Sequence, residues 1–203
     1  PQTDLAGMSL QLLEWMDDQA YKAAAFVGHS LGGKVAMQLA LEQPARVPAL
    51  VVADIAPVAD PPQHEAVFAA LEAVAAAGCR SRAAAAGLMQ EYLEEPGVIQ
   101  FLLASLRREP EGIYGWRFNL EGIKAGYHSL RSAPVSTQIY EGPTLFIKGG
   151  ESGYIQEPHR ALIMGMFPGA RVKVMPDCGH WLHVQQPRLF NGIVSRFLQA
   201  QFS

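Results

Sequence analysis

The sequence predicts an α/β fold, in which a mostly parallel sheet with helices on both faces carries a helical cap insertion. Three observations point there. Short apolar runs of strand length alternate with stretches of helical spacing. The strand candidate Ala49–Asp54 is a continuous apolar run, as expected where helices cover both faces of a parallel sheet. Residues 64 to 110 change texture, becoming rich in alanine, leucine and glutamate with no convincing strand among them.

Each element follows from local signals. From Asp4 to about Gln19, Leu5, Met8, Leu12, Leu13 and Met16 recur at helical spacing, with Thr3 or Asp4 as cap. Ala23–Val27 reads as a buried strand entering Gly28, although its three alanines have weak strand propensity. Leu31–Glu42 is a helix closed by Gln43-Pro44, and Ala49–Asp54 a continuous apolar strand. Breaks at Gly78, Gly87 and Pro96-Gly97 divide the insertion into several helices. Strands resume at Pro143–Lys148 and Arg171–Met175, and Arg188–Gln201 is a final helix. The expected organisation is core over 1–57, cap over 58–138 and core again over 139–203.

Composition narrows the function. The 203 residues are 49% hydrophobic, enough for one substantial core, and the formal net charge of -3 offers nothing to nucleic acid. Cys79 and Cys178 stand about a hundred residues apart in no metal or redox spacing, so a reducing, cytoplasmic setting is expected. No apolar run approaches the roughly 20 residues that span a bilayer. No metal and no organic cofactor is expected.

Gly28-His29-Ser30-Leu31-Gly32 is a G-x-S-x-G segment. Chance alone gives roughly 0.09 such matches in a chain of this composition, so context must carry the reading. An apolar strand ends at the segment and a helix begins there. A turn that tight needs small flanking residues, lifts the Ser30 hydroxyl above the sheet and sets it at a helix N-terminus. The N–H of Leu31 can there stabilise an oxyanion. The competing reading is a glycine-rich helix start with Ser30 as its N-cap.

A serine hydroxyl needs a base. His180 lies on a loop directly after the strand Arg171–Met175, at the sheet edge where sites assemble. His29, beside the serine, is expected to point elsewhere, while His64, His128 and His159 fall in or beside helical regions. His183 could pair with His180 as a metal ligand, but no third ligand stands near. Two carboxylates compete to orient the base. Asp54 closes a rigid strand, whereas Glu151 hangs beyond Gly149-Gly150; the rigid position favours Asp54. Asp177 is expected to shape the turn before His180.

At these residues the chain resembles the α/β-hydrolase superfamily, and more narrowly a group of esterases and thioesterases that includes mitochondrial abhydrolase-domain proteins. The matching segments are Gly28–Gly33, Ala53-Asp54-Ile55-Ala56-Pro57-Val58, Trp116–Leu120, Phe146–Tyr154, and Gly179–Leu182 with Gln186-Pro187. Asp-Ile-Ala-Pro is the most specific. In the broad superfamily the acid follows the later strand as Gly-x-x-Asp, but here that position is Ser152. The narrower resemblance implies Asp54 as the acid instead. It also implies a His-Gly loop donating a second oxyanion N–H. That loop belongs to an N-terminal part of about 50 residues that the sequence does not contain.

The expectation is therefore a serine hydrolase acting on small acyl esters or thioesters through Ser30, His180 and Asp54 and an acyl-enzyme. His29, Phe68, Trp116, Phe118, Leu120 and Trp181 are candidate substrate-binding residues. Two rivals stand beside it. The same triad can serve a carbon–carbon bond hydrolase or a lyase, and a hydrolase-like module can bind a small apolar ligand without turnover.

Overall fold

The computed structural model describes residues 3–202. Helix α1, Leu5–Asp18, starts at Asp4, whose carboxylate accepts the Gly7 N–H at 2.7 Å. Strand β1 is Phe26–His29, displaced toward the C-terminus from the Ala23–Val27 expected from the apolar run. The alanines stay outside the ladder, which begins where Phe26 pairs with Leu50. Helix α2, Leu31–Glu42, and strand β2, Leu50–Ala53, follow as expected. Helices α3 (Glu65–Ala77), α4 (Arg82–Met89) and α5 (Pro96–Ala104) come next, and α3 ends at Gly78 with φ 58°.

One departure lies in the insertion. Leu106–Arg108 (β3) and Tyr114–Trp116 (β4) form a two-stranded antiparallel hairpin where the sequence pattern predicts no strand. Strands of three residues are too short to display alternation, and β3 is two-thirds arginine. The glycine that lets the chain turn between them is Gly112, at φ 83°.

Helix α6, Leu120–Leu130, precedes β5 (Thr144–Gly149), α7 (Arg160–Met166), β6 (Ala170–Met175), α8 (Leu182–Gln185) and α9 (Pro187–Phe202). The main sheet has order β1-β2-β5-β6 and every pair is parallel. Both faces of the central strands β2 and β5 are covered, as their continuous apolar runs require, while most of β6 is exposed. Leu50, Val52 and Phe146 face one cluster, with Met37, Leu41 and Phe167. Val51, Ala53, Leu145 and Ile147 face the other, with Leu182 and Ile193. No described helix is long and apolar enough to cross a membrane.

The chain divides into two compact units. One comprises residues up to Asp60 and from His128 onward; the other is Pro61–Tyr127. The second has its own core, built on Ala70, Val74, Met89, Leu103 and Leu106. The return to the first unit comes about ten residues before the expected boundary at 138. Side chains on α2 explain it. Lys34 Nζ donates to the carbonyls of Arg131 and Ser132, each at 3.0 Å, and Gln38 both donates to Val135 O and accepts from Val135 N, each at 2.9 Å. Residues 131–135 are therefore tied to the first unit.

Candidate active site

The candidate site residues gather at the C-terminal ends of the sheet's strands. Ser30 follows β1 at positive φ, 52° with ψ -123°, which costs a non-glycine residue roughly 1–3 kcal/mol. The turn closes so tightly that a Cβ at Gly28 would lie 2.3 Å from Gly32 O, and one at Gly33 2.8 Å from Ile55 Cγ2. A Cβ at Gly32 would meet nothing. The close approach thus constrains Gly28 and Gly33, not every glycine of the segment. Although Ser30 precedes α2, its hydroxyl makes no capping bond. It faces His180 Nε2 instead, at 3.0 Å. Leu31 is the first residue of α2, so its N–H belongs to the unpaired N-terminal donors of that helix.

Asp54 follows β2, is fully buried, and also has positive φ, 52°. Aspartate tolerates that region better than most residues. Its Oδ1 accepts the Gly149 N–H at 2.9 Å, and its Oδ2 accepts the Ser152 hydroxyl and lies 2.9 Å from His180 Nδ1. Because a carboxylate oxygen accepts, the proton on His180 sits on Nδ1, leaving the Nε2 lone pair toward Ser30. Ser30, His180 and Asp54 thus come from three loops into one line of hydrogen bonds. Glu151, the rival carboxylate, is exposed, and its main-chain N–H donates to Cys178 O at 2.9 Å. Asp177, at φ 56°, makes the turn before His180.

Two residues beside the His180–Asp54 pair have contacts there that local sequence pattern does not mark. Tyr154 stacks on the His180 ring with centroids 4.1 Å apart and an interplanar angle of 26°. Ser152, which stands where the broad superfamily has its aspartate, donates to Asp54 from that position. Nothing in spacing or periodicity marks either residue, since both lie in a loop beyond β5.

His29 corrects an expectation. The tight turn predicts that it points elsewhere than the base, yet its Nε2 lies 2.8 Å from the main-chain carbonyl of His180. Its ring centroid is 4.6 Å from that of His180 and 4.4 Å from that of His183. Burial, reinforced by His180, pushes the His29 imidazole down to about 4. Burial and then His180 also lower His183. Trp181 packs its ring 5.5 Å from His29 and 5.6 Å, edge-on, from His180.

The remaining candidates lie in the second unit. Leu120 is buried in its core, Phe68 packs against that core with its ring 5.0 Å from Tyr127, and Trp116 stacks on Phe118 at 5.3 Å. Trp116 Nε1 donates to Leu71 O at 3.0 Å. His64 Nδ1 lies 2.8 Å from Tyr127 Oη, and His159 sits in a short 3-10 turn. Among the described residues no cluster of metal-ligating side chains occurs, and His180 and His183 do not form one.

A parallel sheet whose strand ends gather a serine, a histidine and a carboxylate belongs to the hydrolase class of α/β proteins. The sequence pattern of the alpha/beta hydrolase family matches residues 1–193, and the chain belongs to that family. The chain is 36% identical to the mouse sn-1-specific diacylglycerol lipase ABHD11, covering 98% of this chain and 66% of the relative. It is likewise 36% identical to the esterase YbfF of Escherichia coli strain K12, covering 98% of this chain and 76% of the relative. A solved marine microorganism esterase superposes with a TM-score of 0.89 at 30% identity, over 96% of this chain and 77% of that one. The chain therefore spans about two thirds to three quarters of the length of these relatives.

Proposed function

We propose that this chain is the catalytic part of a serine hydrolase that cleaves carboxylic esters, with acyl thioesters inside its range, through an acyl-enzyme. The observation that carries the reading is the His180 imidazole, 2.9 Å from Asp54 and 3.0 Å from Ser30. Its named relatives, an esterase and a diacylglycerol lipase, act in the same chemical class.

Ser30 Oγ attacks the acyl carbonyl while its proton passes to His180 Nε2. The charge developing on the carbonyl oxygen rests on the Leu31 N–H at the positive end of α2. Asp54 holds the imidazole in the Nδ1–H tautomer and stabilises the imidazolium. His180 then gives its proton to the departing alkoxide or thiolate. Water, deprotonated by His180, attacks the acyl-serine; the acyl–Oγ bond breaks, His180 returns the proton to Ser30 Oγ, and the carboxylic acid leaves. Cys79 and Cys178 are both free and buried, which suits a reducing, cytoplasmic compartment.

The test uses full-length protein, 4-nitrophenyl esters and an acyl-thioester series. Ser30→Ala should lower kcat by about 10⁴- to 10⁶-fold and abolish labelling by a fluorophosphonate probe. An unchanged rate in that variant would sink the mechanism. Turnover of dienoic diketones in preference to esters would move the protein to carbon–carbon bond hydrolysis.

A further inference from the structure

His180 must reach across the sheet from its own strand. It follows β6, whereas Ser30 follows β1, three places along the strand order. Three strand spacings of about 4.8 Å separate those strands, roughly 14 Å. The five residues from Pro176 to His180 include the turn at Asp177, and the His180 and His29 side chains close the rest of the gap. No ladder holds the loop along that path.

The strand ends beneath it supply a tie each. Above β5, the Glu151 N–H donates to Cys178 O at 2.9 Å. There the loop lies so close that a Cβ at Gly149 would be 2.3 Å from Gly179 O. Above β2, Asp54 takes the His180 ring at 2.9 Å. Above β1, the His29 ring takes the His180 main-chain carbonyl at 2.8 Å.

We propose that His29 is a positioning residue for His180, the tie that anchors the main chain of the His180 loop beside Ser30. The inference rests on the hydrolase reading and adds a role to the residue before the serine. His29 and Ser30 are consecutive, so one peptide unit fixes both the hydroxyl and the anchor of the base's backbone. A carbonyl only accepts, so Nε2 of His29 carries the donated proton, and burial keeps the ring in its neutral form. A neutral anchor also places no second positive charge beside His180 when that ring takes the serine proton. His180, His183 and Asp54 are the titratable groups that face it, and their balance with burial keeps it uncharged near neutrality.

Three variants of the full-length protein test this. His29→Leu removes the donor; His29→Gln keeps an N–H near the place of Nε2. His29→Asn, polar but too short to reach, replaces the leucine variant in the comparison where the latter does not fold. With 4-nitrophenyl butanoate, His29→Leu should lose roughly 10- to 100-fold in kcat with KM changed by less than about threefold. His29→Gln should recover to within about fivefold of the parent. Amide hydrogen exchange over residues 178–183 should accelerate in His29→Leu and not in His29→Gln. The exchange measurement is repeated on Ser30→Ala protein, where no turnover is needed. Equal exchange in all variants, or a glutamine variant as slow as the leucine one while both are folded, overturns the tie. Failure of the parent protein to hydrolyse esters counts instead against the proposed function, and the exchange rates alone then decide whether His29 holds the loop.

Discussion

Two buried charges in the first unit are held in opposite ways. Asp54 sits at a strand end with its oxygens taken by Gly149, Ser152 and His180, and the last of these bonds leads on to a hydroxyl. Lys34, 1% exposed on α2, has an ion pair to Asp60 at 2.5 Å and two main-chain carbonyls, which use all three of its donors. The first network ends in an imidazole lone pair aimed at a serine. The second ends in itself. Burial and charge alone would mark both as functional candidates; what separates them is whether the network leaves an unused group facing a nucleophile.

The sharpest way to break that comparison is Asp54→Asn in full-length protein. An amide at Oδ2 can donate to His180 Nδ1, favouring the tautomer whose proton sits on Nε2, where the serine needs a lone pair. The kcat for ester hydrolysis should fall by about 10⁴-fold with fluorophosphonate labelling slowed in parallel. A loss below tenfold would mean that Asp54 is no more than a buried structural carboxylate, on the same footing as Asp60. Glu151 would then be the next acid to test.

Lys34→Met should do the reverse, costing stability and sparing chemistry. It leaves the Asp60 carboxylate, with a side chain only 18% exposed, without its cation, and takes one donor from each of the Arg131 and Ser132 carbonyls, the former still accepting the Asp60 N–H. Breaking a buried pair from one side costs about 3–5 kcal/mol, and the low end applies because Asp60 keeps some access to water. Urea unfolding measures it, and Lys34→Met/Asp60→Asn should recover part of the loss. A folded Lys34→Met protein with hydrolysis reduced more than tenfold would show that the two networks are not separable.

The sequence makes these regions legible to different depths. Ser30, His180 and Asp54 can be named from it because each follows a segment of strand length, and strand ends are where an α/β sheet collects side chains. Lys34 cannot, since a lysine inside Leu31–Glu42 looks like any helical surface residue until the chain returning at 131–135 covers it. The hairpin of β3 and β4 escapes for want of length, and Tyr154 because stacking on a ring leaves no periodicity. His29 escapes for a further reason. Its direction depends on where a loop about 150 residues away crosses the sheet, a long-range fact that no local rule contains.

The smallest effect expected is on stability against pH, and it also comes from His29. Its folded value, about 4, lies below the ordinary 6.5, so between those limits the unfolded chain binds a proton that the folded chain refuses. Stability contributed by keeping the ring neutral is complete above about pH 6.5 and is lost as pH falls toward 4. His183, lowered in the same direction, adds to the slope. The His29 contribution is at most about 3 kcal/mol, and partial exposure of the ring reduces it. Carboxylates titrate in the same range, but they are common to the parent and to His29→Gln. The difference in unfolding free energy between the two proteins isolates the imidazole. It should shift in favour of the glutamine variant as pH is lowered from 7.5 to 4.5. A difference independent of pH would mean that His29 is as open to protonation in the folded chain as in the unfolded one, and so is not the buried, neutral anchor its contacts describe.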